Sequence, residues 1–226
     1  MVAIVSHSEI LFAKDAIPKI RSSLVAKFVE SLDVAVCLNL DVRKSEEQVR
    51  GAALLPHSQG KPVRVAVFSK DGSVIAQAKE LGADLCGGDE LVEEIRTSGS
   101  VKVREIDWFI TTPDCMPTLA KVAKILGPRG LMPNPKLGTV TNDIIEKLKV
   151  LKSGRVVKFK TDKAGIIHAK IGGFSLSDAE LFENFDALIK VLKQCKPSAA
   201  KGVYFKSVFL NSTMGKSVKV ALDSRD

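Results

Sequence analysis

The stretch "SLDVAVCLNLD" alternates apolar and polar positions at period two. Leu32, Val34, Val36, Leu38 and Leu40 fall on one side, and Asp33, Ala35, Cys37, Asn39 and Asp41 on the other. Successive side chains of a strand point to opposite faces, so this is a half-buried strand with one face open to solvent or a ligand. Upstream, Ile17, Ile20, Leu24, Val25 and Phe28 recur at helical spacing and predict a helix over residues 14–30, with Pro18 tolerable in its first turn. Downstream come a charged loop, "DVRKSEEQVRG", and a return strand in "QVRGAALLP".

The pattern changes near Gly60. Short strand-like runs, "PVRVAVFS", "GADLCG" and "DWFITTP", are interleaved with helical runs, "SVIAQAKELG", "GDELVEEIRTSG" and "MPTLAKVAKILG". Strand then helix, repeated, predicts βαβ units on a parallel sheet. "TNDIIEKLKVLKSG" closes the block as a helix, with Thr141 or Asn142 as its N-cap and Gly154 at its end.

From Arg155 the earlier style returns. "RVVKFK", a turn at "TDKAG" and "IIHAKI" read as a hairpin. "SDAELFENFDALIKVLKQCK" is a long helix opened by a Ser177/Glu180 capping box and followed by Pro197. "GVYFKSVFLN", the turn "STMG" and "SVKVAL" form a last hairpin. The expected architecture is a discontinuous two-domain protein. Residues 1–60 and 154–226 form a split α+β domain with an antiparallel sheet, and residues 61–153 form an inserted α/β domain. Two crossings, near 58–62 and 152–156, suit a hinge.

Composition narrows the partners. The 226 residues are 45% hydrophobic and only 5% aromatic, so the core is aliphatic. The net charge of +8 favours a polyanionic partner. The charge is uneven: residues 61–153 hold 14 Lys and Arg against 12 acids, and the two ends hold 20 against 14. Between Lys152 and Lys170 the bases Lys152, Arg155, Lys158, Lys160, Lys163 and Lys170 face the single acid Asp162. That run is a nucleic-acid face or a solvated edge strand, where Lys is common. A second basic stretch, with Lys121, Lys124, Arg129 and Lys136, lies in "KVAKILGPRGLMPNPKLG". It is a stiff Pro/Gly loop that either shapes its domain or makes a second anionic contact, and composition does not separate the two.

Chemical motifs are sparse. Gly215-Lys216-Ser217 ends "NSTMGKSV" like a phosphate-binding loop, but Leu210 stands where the first Gly of that loop belongs, and a strand follows instead of a helix. The simpler reading is a hairpin turn with Gly at a positive-φ position. Cys37, Cys86, Cys115 and Cys195 lack metal or redox spacing and read as small buried residues of a reduced protein. The histidines His7, His57 and His168 form no zinc pair. Asp114, at the end of a strand-like run, reads as a helix N-cap. The N-terminal stretch is not a signal peptide, and no run is long enough to span a bilayer. A rival reading is an α/β enzyme holding a phosphorylated metabolite in the middle block.

"GPRGLMPNPKLGTV", "FKTDKAGIIHAKIGGFS", "DVRKSEEQVRGAALLPH" and "STMGKSV" resemble the L-one family of bacterial large-subunit ribosomal proteins, from about Ala13 to Leu222. The resemblance implies a split RNA-binding domain carrying an inserted Rossmann-like, three-layer α/β domain, with a hinge between them. It implies a cytoplasmic, ribosomal location and binding to the large-subunit rRNA of the mobile stalk. It also implies movement of deacylated tRNA at the exit site, and translational repression through the leader of the protein's own mRNA. The family is not enzymatic, needs no cofactor or membrane, and is monomeric off the ribosome.

Carried over by position, the resemblance assigns RNA contacts to Lys27, Phe28, Glu30 and Ser31 at the first helix–strand junction. It adds Lys160, Asp162, Lys163, Gly165, His168 and Lys170 on the hairpin, then Ser207, Thr213, Met214 and Gly215. Lys neutralises phosphates; Ser, Thr, His and backbone groups read 2′-hydroxyls. Phe28 is alternatively a core anchor of the first helix. The sequence departs from the family pattern at Val29, at Asn211-Ser212, at Gly173 in place of a frequent Lys, and in a short N-terminal basic arm. These departures imply weaker electrostatic binding, not lost function.

Overall fold

The computed structural model describes residues 10–44, 46–98, 103–198, 200 and 202–221, and the chain divides into two compact units. One is Met1–Gly60 with Val157–Asp226; the other is Lys61–Val156. In chain order the first unit opens with β1 (Ile10–Phe12), α1 (Ala13–Ser22), β2 (Ser31–Leu38) and β3 (Arg50–Leu54). The second contains β4 (Val65–Phe68), α2 (Gly72–Glu80), β5 (Leu85–Gly87), α3 (Asp89–Ser98), β6 (Trp108–Thr111), α4 (Met116–Ala120), α5 (Ala123–Leu126) and α6 (Ile144–Lys152). The first resumes with β7 (Val156–Lys160), β8 (Ile166–Gly173), α7 (Asp178–Gln194), β9 (Phe205–Ser212) and β10 (Val218–Ala221).

In the split unit a five-stranded sheet runs β1-β10-β9-β2-β8. The β1–β10 pair is parallel, and the other neighbours are antiparallel. Leu32, Val34, Val36 and Leu38 of β2 are 0–2% exposed, as the alternation predicts. They pack with Ile17 and Ile20 of α1 and with Leu181, Leu188 and Leu192 of α7. Each such side chain removed from water contributes about 1.5–3 kcal/mol. Both helices therefore cover one face of the sheet and leave the other open. Ser177 and Glu180 form the expected capping box, Glu180 Oε2 accepting the Ser177 amide at 2.8 Å.

Several elements differ from the sequence reading. Helix α1 stops at Ser22 instead of near residue 30, and Pro18 lies beyond its first turn. The Ser22 and Ser23 hydroxyls donate to the carbonyls of Lys19 and Ile20, competing with further helical bonds. Val25 and Phe28 are thereby 87% and 56% exposed, so Phe28 is no core anchor. Strand β3 pairs with β7, not with β2, because β8 and β9 occupy both edges of β2. For the same reason β7 and β8 do not form a regular hairpin: only Thr161 bridges to Ile167 before the two strands enter different sheets. Strand β1 was not legible; it is three residues long, and its partner lies some two hundred residues away. Cys195 is exposed, since it follows the last turn of α7, whereas Cys115 is buried as expected.

The inserted unit is built on the parallel sheet β5-β4-β6. All four residues of β4 are buried, which requires cover on both faces. Ala66, Phe68 and Phe109 pack with Leu91 and Ile95 of α3 and with Leu119 and Leu126. Helices α2 and α6 also contact the sheet, and the fold is α/β, as the interleaved pattern predicts. The expected single helix "MPTLAKVAKILG" breaks at Lys121–Val122, where the amides bond three residues back, to Thr118 and Leu119. The break keeps Leu119, Val122 and Leu126 on one core. Asp114 lies inside a 3-10 turn and is not an N-cap. The residue preceding α6 is Asp143, not Thr141 or Asn142; the Thr141 hydroxyl oxygen instead accepts the Asp143 amide. Gly154 takes φ 69° just past the end of that helix.

Candidate nucleic-acid interface

The open face of the split unit's sheet follows from register. Asp33, Ala35 and Cys37 point away from the helices. Asp33 lies opposite Lys170 and Asn211, Ala35 opposite His168 and Phe209, and Cys37 opposite Ile166 and Ser207. The candidates His168, Lys170 and Ser207 therefore share one face with β2. Asp33, Asn211 and Phe209 lie there too and were missed, although the alternation had marked the face of Asp33 as open.

At one end of this face two distant segments are tied together. The Ser31 amide donates to Thr213 Oγ1 at 3.0 Å, and the two hydroxyls lie 3.0 Å apart. Ser31 Oγ donates onward to Asp33 Oδ2 at 3.1 Å, which leaves the Thr213 hydroxyl as donor to Ser31. Glu30, 2% exposed, accepts the Met214 amide at 2.9 Å. This bond holds its carboxyl below the usual range. The Ser212 hydroxyl lies close enough to lower it further, though its oxygen has no partner of good geometry among the described residues. Glu30 is thus a buried strut. Met214 itself is 73% exposed, and Lys27 and Phe28 are exposed in the segment whose Ala26 amide donates to the other oxygen of Glu30 at 3.4 Å.

Gly215 closes the turn for a reason other than positive φ, which it does not adopt. A Cβ at this position would stand 2.3 Å from Ser212 Oγ, so a side chain here requires the buried Ser212 to shift.

The opposite end is the Thr161–Gly165 turn. Asp162 Oδ1 accepts the amides of Ala164 and Ile166 at 2.8 and 2.9 Å, and the Ile166 amide is the main cause holding its carboxyl low. Its other oxygen lies 3.8 Å from His168 Nε2. Gly165, at φ 78°, offers its carbonyl to the Leu38 amide at 3.0 Å. Asp162 and Gly165 therefore shape the turn, and Lys160 and Lys163 stand exposed around it. At roughly 3.3 Å per residue, the seven steps of β2 separate the two ends by about 23 Å. Lys152 does not join this basic run; it pairs with Asp84 of the inserted unit at 2.8 Å.

The second basic stretch is a fixed loop. Asn134 accepts the Lys136 amide through Oδ1 at 2.9 Å, and its own amide donates to Thr139 Oγ1 at 2.9 Å. Leu131 and Pro133 are buried, while Lys121, Lys124, Arg129 and Lys136 are exposed. Among the described residues no group of three or more His, Cys, Asp or Glu side chains is placed to hold a metal. Among them, too, no helix is long and apolar enough to cross a membrane.

Residues 20–216 match the model of the ribosomal protein L1p/L10e family. The chain is 51% identical over 219 residues to the large ribosomal subunit protein uL1 of Ehrlichia ruminantium strain Gardel, covering 97% of this chain and 98% of that protein. It is 52% identical over 207 residues to the protein of the same name from Wolbachia pipientis wMel, covering 92% and 93%. For Proteus mirabilis strain HI4320 the figures are 48% over 206 residues, 91% and 86%.

Proposed function

We infer the function of this chain from one premise: it belongs to the ribosomal protein L1p/L10e family. It is a structural constituent of the bacterial large ribosomal subunit, located in the cytoplasm, and not an enzyme. The split unit binds the rRNA of the mobile stalk through the open sheet face and its two ends. The observation that carries this reading is the cross-link of Ser31 to Thr213 and of Glu30 to Met214. It ties exposed Thr213 and Met214 to the Glu30–Ser31 segment, just after exposed Lys27 and Phe28, and so supports a contact with hydroxyls to read 2′-OH groups and a cation for phosphate. Lys160, Lys163, His168, Lys170 and Ser207 extend the contact along the face.

Three further roles belong to the same reading. The two crossings near 58–62 and 152–156 serve as a hinge between an RNA-binding domain and an inserted domain. The bound protein helps move deacylated tRNA at the exit site. A stem in its own mRNA leader similar to the rRNA site makes it a translational repressor. Glu30 and Asp162 serve as struts for neighbouring contacts, and Gly173, buried at the end of β8 opposite Ser31, makes no side-chain contact with phosphate.

Filter binding of the purified chain to a transcript of the rRNA stalk, against one with a scrambled stem, tests the reading. Six phosphate contacts predict a log–log salt slope of about −4 to −5 for the authentic stem. A slope near zero, or equal affinity for the scrambled stem, overturns it.

A further inference from the structure

One row of the open sheet face crosses all five strands. Ile10 of β1 lies opposite Lys219 of β10, Lys219 opposite Phe209 of β9, Phe209 opposite Ala35 of β2, and Ala35 opposite His168 of β8. Four strand gaps of about 4.8 Å make the row about 19 Å wide. Phe12, two residues beyond Ile10, extends it at the sheet edge, where it also borders a cavity lined by Phe182, Phe185 and Ile189 of α7. Ile10 and Phe12 are 57% and 55% exposed, and Phe209 and Lys219 are half-buried. The aromatic-poor chain thus sets Phe209 on the face away from the helices and Phe12 at its edge, two of its ten phenylalanines.

We propose that Phe12, Phe209 and Lys219 form a stacking platform for unpaired bases of the bound RNA, an extension of the interface toward β1. The proposal rests on the RNA-binding reading above. The chemistry favours single-stranded RNA over another protein surface. A phenyl ring lying on a sheet offers a π-face to a splayed base, which is how sheet-based modules hold unpaired nucleotides. Among the described residues no carboxylate pairs with Lys219, so a cation stands between the apolar side chains to meet the backbone of the stacked nucleotide. The row is continuous with His168, and Ser207 and Lys170 flank it on the same face. Among the described residues, the strands of this face carry one acid, Asp33, which lies near the Ser31 end and accepts the Ser31 hydroxyl, and Asp162 approaches His168 from the turn at the other end. A helical RNA segment would present phosphates and 2′-hydroxyls to this face and leave the rings without partners.

The test uses the full chain and the rRNA stalk transcript. The F12L/F209L double substitution keeps apolar bulk and removes both rings. It is expected to weaken binding at least about tenfold and to leave the salt slope unchanged, because stacking releases no counterions. K219Q is expected to reduce the magnitude of the slope by about 0.7. F209W reports directly: its emission should fall when the transcript binds, since Trp108, 7% exposed, belongs to the other unit. F12L alone, at a surface position, keeps the test decisive if the double variant folds poorly, and should weaken binding severalfold. Affinity within twofold of wild type for a folded double variant, or for F12L alone, overturns the platform and leaves the RNA reading standing. So does F209W emission unchanged by the RNA. Failure of the wild-type chain to bind the transcript overturns both.

Discussion

The carboxylate of Glu30 accepts the amide of Met214 at 2.9 Å, across 184 positions of sequence. The bond joins the segment before β2 to the turn after β9, and it favours the charged carboxylate, so the folded pKa is depressed. Such a group contributes stability above the unfolded value of about 4.3 and loses it as pH falls through the lower folded value. Stability should therefore decline on acidification below about pH 4.3. E30Q should show a flatter acid limb in urea denaturation followed at several pH values, and weaker RNA binding at neutral pH. An acid limb identical to wild type would deny the strut its role.

Gly215→Ala places a Cβ where 2.3 Å separates it from Ser212 Oγ. Overpacking of this kind costs about 1–3 kcal/mol, read as a lower midpoint of chemical denaturation. The added substitution S212A removes the obstructing oxygen, which has no partner of good geometry among the described residues. The double variant should recover most of the loss. A strictly additive double mutant would place the strain elsewhere.

Met214 is 73% exposed, so M214D should fold normally. If Met214 meets the RNA as proposed, the substitution sets a carboxylate against phosphate in a contact from which water is excluded. Binding to the stalk transcript should weaken by about 2 kcal/mol or more. Unchanged affinity would make the turn purely structural.

Lys163 is exposed at the turn between β7 and β8. If it meets phosphate, K163Q should reduce the magnitude of the log–log salt slope by about 0.7–0.9. K124Q, in the inserted unit, should leave the slope on the stalk transcript unchanged. Equal effects of the two would mean that only net charge matters.

Asn184 is fully buried on α7 and serves three backbone groups of its own unit. Its Oδ1 accepts the His57 amide at 2.9 Å, and its Nδ2 donates to the carbonyls of His57 and Ile171 at 3.3 and 3.1 Å. N184A leaves these groups without the amide, the Ile171 carbonyl in a buried bond and the two His57 groups in part-buried ones, at about 1–3 kcal/mol for each left unpaired. Thermal or urea unfolding should report a loss of at least about 2 kcal/mol. A loss below about half of that would indicate that water replaces the amide.

Much of this architecture was readable because it rests on local periodicity. The alternation through Leu32–Leu38, the capping box at Ser177 and Glu180, and the interleaved strands and helices of residues 61–153 depend on side chains a few positions apart. The end of α1 was not readable. The spacing of Leu24, Val25 and Phe28 continues the helical pattern, but the Ser22–Ser23 hydroxyls end the helix, and two of those three apolar side chains face solvent.

The sequence by itself determined the alternation of β2, the helical stripe of α7, the excess basic charge of the two chain ends, and the family. These follow from composition and short-range pattern. Only the tertiary structure decided which of the candidate residues meet. Glu30 and Met214, and Ser31 and Thr213, are brought together, and Phe209 is set in one row with Lys219 and His168, by strand order and register, which depend on pairings between segments remote in sequence. A carboxylate in "VES" reads the same whether it meets solvent or holds a distant amide. Burial and the nearest donor make the difference, and both arise only when β9 lies beside β2.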